Sequence, residues 1–435
     1  MSESGHASDH ARGGGISSLP PVGSNGRMRK PAPRLLAAAR GAREARAGDS
    51  HNFGRHVTIG RARVHKPRTL FWEWLMLGAG SPLRALLRRL AHEDGPGEDA
   101  FDFLPELRFT SPAARGGGSV ERLVLAPLPR PSRARRRELA VVVGRALATW
   151  SWFGVSDLHW ENLALGVGRR GRLIFTPLDV EIVFDDYALP TATKLLPEAD
   201  PEYSAVNRHA CGVRRVLPLL GKPVDVGDLV AMVDAYREAL LFLDRHASRI
   251  AELCAGVPGL GEAPIRVLLR GTGDYVRARS EPVWPPLLDA EAEQLARGDI
   301  PYFFRLYGRA GIHYFTDPTL ERALWLPLRG DVPRLAPLLS LARGLRSPSR
   351  RSLREEGLFA ILGAFDHPTF EGPHAHGEVT VTFGARRITV RSGSADELVA
   401  RRDLRAYVES VYLPCRCGEV RSALVPAITA CESAR

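Results

Sequence analysis

The chain has 435 residues, of which 44% are hydrophobic and 25% are charged, as in an ordinary soluble globular protein. Its N-terminus lacks the apolar core of a signal peptide, no apolar run is long enough to span a membrane, and five cysteines are too few for a disulfide framework. We therefore predict a cytoplasmic protein without a membrane span, long enough to form more than one lobe.

The net charge of +11 comes almost entirely from arginine, since lysine occurs at only four positions. Arginine-rich tracts such as residues 130–137 could meet an acidic peptide or a phosphate backbone. No zinc-finger, aromatic RNA-binding or helix-turn-helix pattern accompanies them. A solvated basic face is the preferred interpretation, and we expect no nucleic acid partner.

The N-terminal part predicts a disordered tail, a short helix and a pair of strands. Residues 1–28 are rich in Gly, Ser and Pro and show no periodicity. Residues 34–47 consist of good helix formers. Residues 56–59 and 62–65 predict two strands that turn near Gly60.

Lys66 ends the second of these strands, just before Pro67. In a chain that otherwise uses arginine, a lysine here indicates that a compact ammonium is needed. A kinase-like site uses such a strand-borne lysine to hold nucleotide phosphates. The alternative is an ordinary surface lysine on an edge strand.

The central part predicts helices that lead into a hairpin. Residues 70–91 have Leu and Trp at helical spacing with a break at 78–82, and residues 135–153 form an amphipathic helix. Residues 163–167 and 172–178 predict two strands, with Gly and Arg residues forming the turn between them. This hairpin would bring the residues before its first strand close to those after its second.

The two ends of the hairpin carry side chains that suit phosphoryl transfer. Asp157, His159 and Asn162 precede the first strand, and Asp179 and Glu181 follow the second. Carboxylate and amide oxygens are ligands that suit Mg²⁺, and a further carboxylate can orient or deprotonate an attacking hydroxyl. The alternative is that they are turn and capping residues, but two converging carboxylate-bearing loops favour phosphoryl transfer.

The C-terminal half predicts further helices and a second hairpin. In chain order the predicted segments are helices at 226–254, 288–296 and 335–345, an Arg/Ser-rich linker at 346–354, a hairpin at 378–390 and a helix at 396–411. Residues 263–275 predict a short strand or helix and a turn, on which Arg266 and Arg270 would be surface arginines and Thr272 a turn residue. Cys415 and Cys417 lack a second matched pair, so we predict no zinc site in the tail.

Six sequence blocks, in this order, resemble the dehydration domain of class II (LanM-type) lanthipeptide synthetases. They are Gly-Asp49-Ser-His51, His-Lys66-Pro-Arg, Asp157-Leu-His159-Trp-Glu-Asn162, Asp179-Val-Glu181, Arg266-Val-Leu-Leu-Arg-Gly-Thr272 and Gly-Asp299-Ile-Pro-Tyr-Phe303. The resemblance covers residues 48–304, and six ordered blocks are more specific than any one of them. It implies an α+β, bilobal kinase-like (lipid-kinase-like) fold with the active site between the lobes.

The resemblance also implies an activity. Such a domain uses ATP and Mg²⁺ to phosphorylate Ser and Thr side chains of a ribosomal precursor peptide, and then eliminates phosphate to give dehydroalanine and dehydrobutyrine. The implied phosphorylation residues are Lys66 on the nucleotide, Asp157 as the catalytic aspartate, His159 in support of transfer, Asn162 and Asp179 on Mg²⁺, and Glu181 as a second-tier member of the nucleotide site.

Phosphate elimination is assigned by the same resemblance to Asp49, His51, Arg266 and Thr272. Elimination needs a base for the peptide α-proton and a cation or acid for the departing phosphate, and these residue types supply both. The sequence does not identify the base. Before Thr272 the family's Arg-Pro-Thr is Arg-Gly-Thr here, which predicts a less rigid loop.

The sequence lacks the motifs of the family's zinc-dependent cyclase, so we expect a stand-alone dehydratase that leaves ring closure to a separate cyclase. The predicted division is a disordered tail (1–28), an N-lobe-like region with the nucleotide lysine (29–134), a C-lobe with the catalytic loop and elimination residues (135–345), and a linker with a small α/β extension (346–435). The alternatives are a kinase-like phosphotransferase that never eliminates, acting on a peptide or small molecule, and a non-catalytic relative that only binds a peptide.

Overall fold

The fold combines helices with antiparallel sheets, so the predicted α+β class is confirmed. The computed structural model describes residues 45–95, 100–184, 193–196, 211–221, 224–283, 286–307, 309, 311–326, 361, 364, 369–374, 378–383 and 386–391. The predicted tail at 1–28, the linker at 346–354 and the predicted helices at 335–345 and 396–411 lie outside these residues.

A five-stranded antiparallel sheet in the order β1-β2-β3-β5-β4 forms the first part of the fold. Its strands are β1 (Ala45–His51), β2 (Arg55–Ile59), β3 (Arg63–Lys66), β4 (Phe109–Thr110) and β5 (Gly118–Glu121). The predicted strand pair is confirmed as β2 and β3. The helix predicted over 34–47 is wrong at its C-terminal end, because residues 45–47 pair with residues 57–59 of β2 and this pairing overrides helix propensity.

Two helices follow β3, on either side of the predicted break. They are α1 (Phe71–Leu77) and α2 (Pro82–Asp94), and the Ser81 hydroxyl caps α2 by accepting the Arg84 backbone N–H. The long helix α3 (Arg133–Trp152) then leads into the Asp157 loop, as predicted.

The predicted hairpin is confirmed as β6 (Leu163–Val167) and β7 (Leu173–Pro177). Leu163 pairs with Pro177, so the residues just outside the two strands are neighbours. The Leu178 N–H donates to the Asn162 carbonyl at 2.7 Å, which joins the two loops that were predicted to converge.

The remaining described elements extend to residue 391. In chain order they are α4 (Leu217–Leu220), α5 (Val226–Arg245), α6 (Ala247–Gly256), β8 (Pro264–Val267), α7 (Thr272–Ala278), α8 (Asp289–Ala296), β9 (Phe303–Leu306), β10 (His313–Phe315), β11 (Ala323–Trp325), β12 (Thr369–His374), β13 (Glu378–Phe383) and β14 (Arg386–Arg391). Strands β8 to β11 form an antiparallel sheet in the order β11-β10-β9-β8, and β13 and β14 are the second predicted hairpin. None of the helices described in these ranges is both long and apolar enough to cross a membrane.

Helices α3 and α5 pack closely at the centre of the main hydrophobic core, which also includes side chains of α1, α2, β7 and α6. Gly144 of α3 is the point of closest approach. A Cβ atom added there would lie 2.1 Å from the Met232 carbonyl oxygen and 3.0 Å from the Tyr236 backbone nitrogen, both on α5. The missing side chain is therefore what lets the two helix backbones approach each other.

Gly144→Ala should lower the free energy of unfolding by about 1–3 kcal/mol, because helix α5 must move to admit the new methyl group. Gly256→Ala is the matched control, since a Cβ at this last residue of α6 meets no atom within 4 Å. Urea unfolding followed by circular dichroism should find the control as stable as the wild type or slightly more stable. Equal stability of the Gly144→Ala variant and the wild type would contradict this packing.

Candidate active site

Six charged side chains form a buried ionic group, which we call the charge cluster. Its cations are Lys66, Arg68 and Arg266, and its anions are Glu73, Asp179 and Glu181. Asp179 is the most accessible member, with 30% of its side chain exposed, and the side chain of Glu73 is 2% exposed. Each buried charge has an oppositely charged partner within the cluster, because an unpaired charge at such burial is very costly.

Lys66 occupies one end of the charge cluster, where β3 ends. Its ammonium donates to Glu73 Oε1 at 2.8 Å, to the Leu178 carbonyl at 2.7 Å and to Asp179 Oδ1 at 3.2 Å. An ammonium has three N–H groups, so all three are engaged. Lys66 is therefore a buried residue that joins β3, α1 and the segment after β7, and not a surface lysine.

Arg68 and Glu73 belong to the site, although the sequence did not identify them. Arg68 Nη2 donates to Glu73 Oε1 at 2.6 Å and also contacts Asp179, and its Nε lies 3.0 Å from Glu181 Oε1. One signal in the sequence could have indicated them. Glu73 is the single charged residue in the apolar segment of α1, and a carboxylate buried there needs a cation such as Arg68 as its partner.

Glu181 links the hairpin to β8. Its Oε1 contacts both Arg68 and Arg266 Nη1, the latter at 3.3 Å, and its carbonyl accepts the Arg266 backbone N–H at 2.9 Å. Burial would raise the pKa of Glu181, but the cations Arg68 and Arg266 outweigh it and lower that pKa to about 2. Glu181 Oε2 and Arg266 Nε are buried atoms without a hydrogen-bond partner among the residues that the structure describes.

His51 lies on β1, close to Arg266. Its Nδ1 is 2.8 Å from the Ile300 carbonyl oxygen, so Nδ1 carries the proton and Nε2 keeps its lone pair. Burial and the positive charge of Arg266 lower the pKa of His51, so the imidazole is neutral near pH 7. Tyr302 joins the two, since its ring lies edge-on to His51 and beneath the Arg266 guanidinium at 5.5 Å.

The segment Gly298–Tyr302 fastens β1 in this position. The Asp299 carboxylate is buried and accepts the backbone N–H groups of Phe53 and Gly54 at 2.7 and 2.9 Å. The Ile300 N–H donates to the Ser50 carbonyl at 2.9 Å. The sixth sequence block therefore holds the first one, while Asp49 of that first block is exposed on β1.

The loop before the hairpin holds the other predicted residues. Asp157 Oδ1 is paired with the ammonium of Lys194 at 2.7 Å, and the Asn162 side-chain N–H donates to the Asp157 carbonyl at 2.9 Å. His159 begins the short turn that contains Asn162, and its Nδ1 accepts the Glu161 N–H at 3.4 Å. Asp157 is near enough to Arg266 to raise the pKa of that arginine together with Glu181, against the effect of burial.

Arg270 and Thr272 differ from Arg266 in their surroundings. Arg270 is buried and pairs with Glu291 at 2.9 Å, so it is a structural residue, and the prediction of surface arginines is wrong for both Arg266 and Arg270. Thr272 is exposed at the first residue of α7. Within the part of the chain that the structure covers, Thr272 makes no contact with the charge cluster.

Glu181→Gln should destabilise the fold by about 3 kcal/mol at pH 7, because Arg68 and Arg266 lose the anion that they share. A glutamate titrates near 4.5 when unperturbed and this one at about 2, so its contribution is present above pH 4.5 and is lost as the pH falls toward 2. Urea unfolding from pH 7 to pH 3 should therefore show the difference from the wild type shrinking with acid.

Glu293→Gln is the control for this experiment, since Glu293 lies in a half-exposed i,i+4 pair with Arg297. Its substitution should change stability little at any pH. A Glu181→Gln variant as stable as the wild type at pH 7 would contradict the ionic role of Glu181.

The sequence matches no family model, and it matches no curated protein. The assignment of a function therefore depends on the residues of the chain itself.

Proposed function

We propose that this protein is a stand-alone lanthipeptide dehydratase with a bilobal kinase-like fold. It would phosphorylate Ser and Thr side chains of a ribosomal precursor peptide with ATP and then eliminate the phosphate. One observation carries the proposal: the Glu181 carboxylate contacts both Arg68, beside the nucleotide lysine, and Arg266, from the elimination block. Three sequence blocks, far apart in the chain, thus supply one ionic group.

The arrangement around Lys66 supports the phosphorylation half. Protein kinases pair a strand lysine with a helix glutamate and set a metal-binding aspartate beside them. Here Lys66 at the end of β3 pairs with Glu73 of α1, and Asp179 follows the hairpin at 3.2 Å from the same ammonium. Asp157 lies in the loop before the hairpin, where it would accept the proton of the attacking hydroxyl.

Asn162 and Asp179 fit the Mg²⁺ that such a reaction requires. The Asn162 side-chain nitrogen donates to the Asp157 carbonyl, which leaves the amide oxygen to bind a cation. Asp179 is the most exposed carboxylate of the charge cluster. These are hard oxygen donors, and Mg²⁺ usually takes only one or two protein ligands and completes its shell with phosphate and water. When bound, Mg²⁺ would neutralise phosphate charge.

The described residues offer no larger ligand set that competes with this pair. Among the residues that the structure covers, no group of three or more His, Cys, Asp or Glu side chains has the arrangement of a metal site. Asp179 is held by Lys66 and Arg68, and its release to a metal would free one N–H of Lys66 for a nucleotide phosphate.

His51 and Arg266 support the elimination half. In the first half-reaction the peptide hydroxyl oxygen bonds to the terminal phosphorus of ATP, ADP leaves, and the hydroxyl proton passes to Asp157. In the second, His51 Nε2 takes the α-proton, the Cα–H electrons form the double bond, and the Cβ–O bond breaks. Arg266 would stabilise the departing phosphate. The sum is one ATP converted to ADP and phosphate for each water lost from the peptide.

The resemblance assigns Asp49 and Thr272 to phosphate elimination, and the surroundings of the two residues support this assignment to different degrees. Asp49 lies two residues from His51, and its charge raises the pKa of that imidazole against the effects of burial and Arg266. Thr272 is exposed at the first residue of α7 and forms no hydrogen bond with the charge cluster among the residues that the structure describes. The lack of such a bond favours the second candidate function, a kinase-like phosphotransferase without elimination.

Asp157→Asn and Asp179→Asn should each reduce ATP-dependent phosphorylation of the cognate peptide about a hundredfold or more, because one removes the proton acceptor and the other a metal ligand. Asp274→Asn, at a carboxylate paired with Arg277 on α7, is the control and should modify peptide at the wild-type rate. The readout is the peptide mass spectrum over time. Modification by Asp179→Asn at the wild-type rate would end the metal assignment.

Arg266→Ala and His51→Gln should phosphorylate the peptide but accumulate phosphopeptide, with elimination slowed about a hundredfold or more. His51→Gln keeps a donor for the Ile300 carbonyl and lacks the basic nitrogen. Arg277→Ala, at an arginine whose side chain is 68% exposed, is the control and should dehydrate normally.

The mass spectrum separates the outcomes of this second experiment, since phosphorylation adds a phosphoryl group and dehydration removes water. A wild type that stops at phosphopeptide would establish the second candidate function. Normal dehydration by the Arg266→Ala variant would contradict the role of Arg266 in elimination.

A further inference from the structure

Lys194 pairs with the predicted catalytic aspartate. Its ammonium is 2.7 Å from Asp157 Oδ1, with 45% of the Lys194 side chain and 27% of the Asp157 side chain exposed. No sequence pattern predicted a role for this lysine. A surface ion pair contributes little to stability, so stability does not account for it.

The backbone around Lys194 is built to present this side chain. Thr193, Leu195 and Leu196 are buried, so Lys194 is the one accessible residue of the four. The Thr193 carbonyl accepts the Leu158 N–H at 2.9 Å, and the Lys194 carbonyl accepts the Gly212 N–H at 2.9 Å. The backbone that carries Lys194 is thus held beside the Asp157 loop by hydrogen bonds on both sides of the residue.

Lys194 and Asp157 both have left-handed backbone conformations, each with φ of +64°. This region is uncommon for residues other than glycine and costs free energy. Two such residues are joined here by an ion pair. This indicates that the positions of the two side chains are maintained in spite of the free-energy cost of the two backbone conformations. Strained residues of this kind cluster at active sites and ligand contacts.

The charge cluster does not supply an equivalent cation. All three N–H groups of Lys66 are engaged, and Arg68 and Arg266 are buried against carboxylates. Among the residues described around it, Lys194 pairs only with Asp157, and its side chain is 45% exposed. An accessible ammonium beside the aspartate that activates the hydroxyl is where a transferred phosphoryl group needs a counter-charge.

We infer that Lys194 is a phosphate-binding residue of the active site, which contacts the terminal phosphate of a bound nucleoside triphosphate and holds Asp157 toward it. The inference rests on the proposed function, since it names a residue for the first half-reaction. Lys66 would offer a nucleotide one N–H only after Asp179 is released to a metal, whereas the Lys194 ammonium is already accessible.

The test compares the affinity of the full-length protein for ATP and ADP in the presence of Mg²⁺, by isothermal titration calorimetry. Lys194→Met should weaken ATP binding about ten- to a hundredfold, the worth of a charged hydrogen bond, and leave ADP binding unchanged. Lys194→Arg should recover most of the ATP affinity. Arg169→Met is the control, because it removes a cation whose side chain is 91% exposed, at the far end of the hairpin.

The outcomes separate a failure of the role of Lys194 from a failure of the proposed function. Unchanged ATP affinity in Lys194→Met, or an equal loss for ATP and ADP, would overturn the role of Lys194 and leave the proposed function standing. A wild type that binds neither nucleotide would overturn the proposed function, and the inference with it. Thermal melting of each variant identifies any loss of affinity that comes from unfolding.

Discussion

Three cations and three anions share one buried site in this protein, and each must be neutralised by the others. Removing an ion from water costs several kcal/mol, which is recovered only where partners and geometry are in place. Glu73 has three hydrogen-bond partners in this site. Its carboxylate accepts hydrogen bonds from Lys66 and Arg68, and it also accepts the Val180 N–H at 3.3 Å. The charge cluster thereby fixes α1, the segment after β7 and β8 relative to one another.

This constraint gives the site two parts of different character. The inner, buried part is committed to its own pairs. Burial and the charge of Arg266 lower the pKa of His51 there, and the Arg266 guanidinium lies over the Tyr302 ring. The outer part holds Asp179, Asp157 and Lys194, whose side chains are exposed to solvent by 27–45%. Phosphoryl transfer at the outer part and elimination beside the inner part would use the same bound peptide, with Glu181 between them.

The sequence was sufficient for the elements whose signals are local. Periodicity and turn residues predicted β2, β3, α3 and the β6–β7 hairpin. The sequence was insufficient where a residue's conformation or burial depends on a partner that is distant in the chain. Residues 45–47 form a strand because β2 pairs with them, and Arg270 is buried because Glu291 meets it. Arg68 and Glu73 were missed for the same reason, since burial of an ionisable group depends on partners that local pattern does not reveal.

The most direct test of a single site for phosphorylation and elimination follows the serine oxygen itself. The cognate peptide is prepared with ¹⁸O in the hydroxyl of its modified serine and incubated with the protein, ATP and Mg²⁺. The mechanism predicts that the labelled oxygen leaves as part of inorganic phosphate, in step with loss of water from the peptide. Label recovered in solvent water, or dehydration that proceeds without ATP, would contradict it.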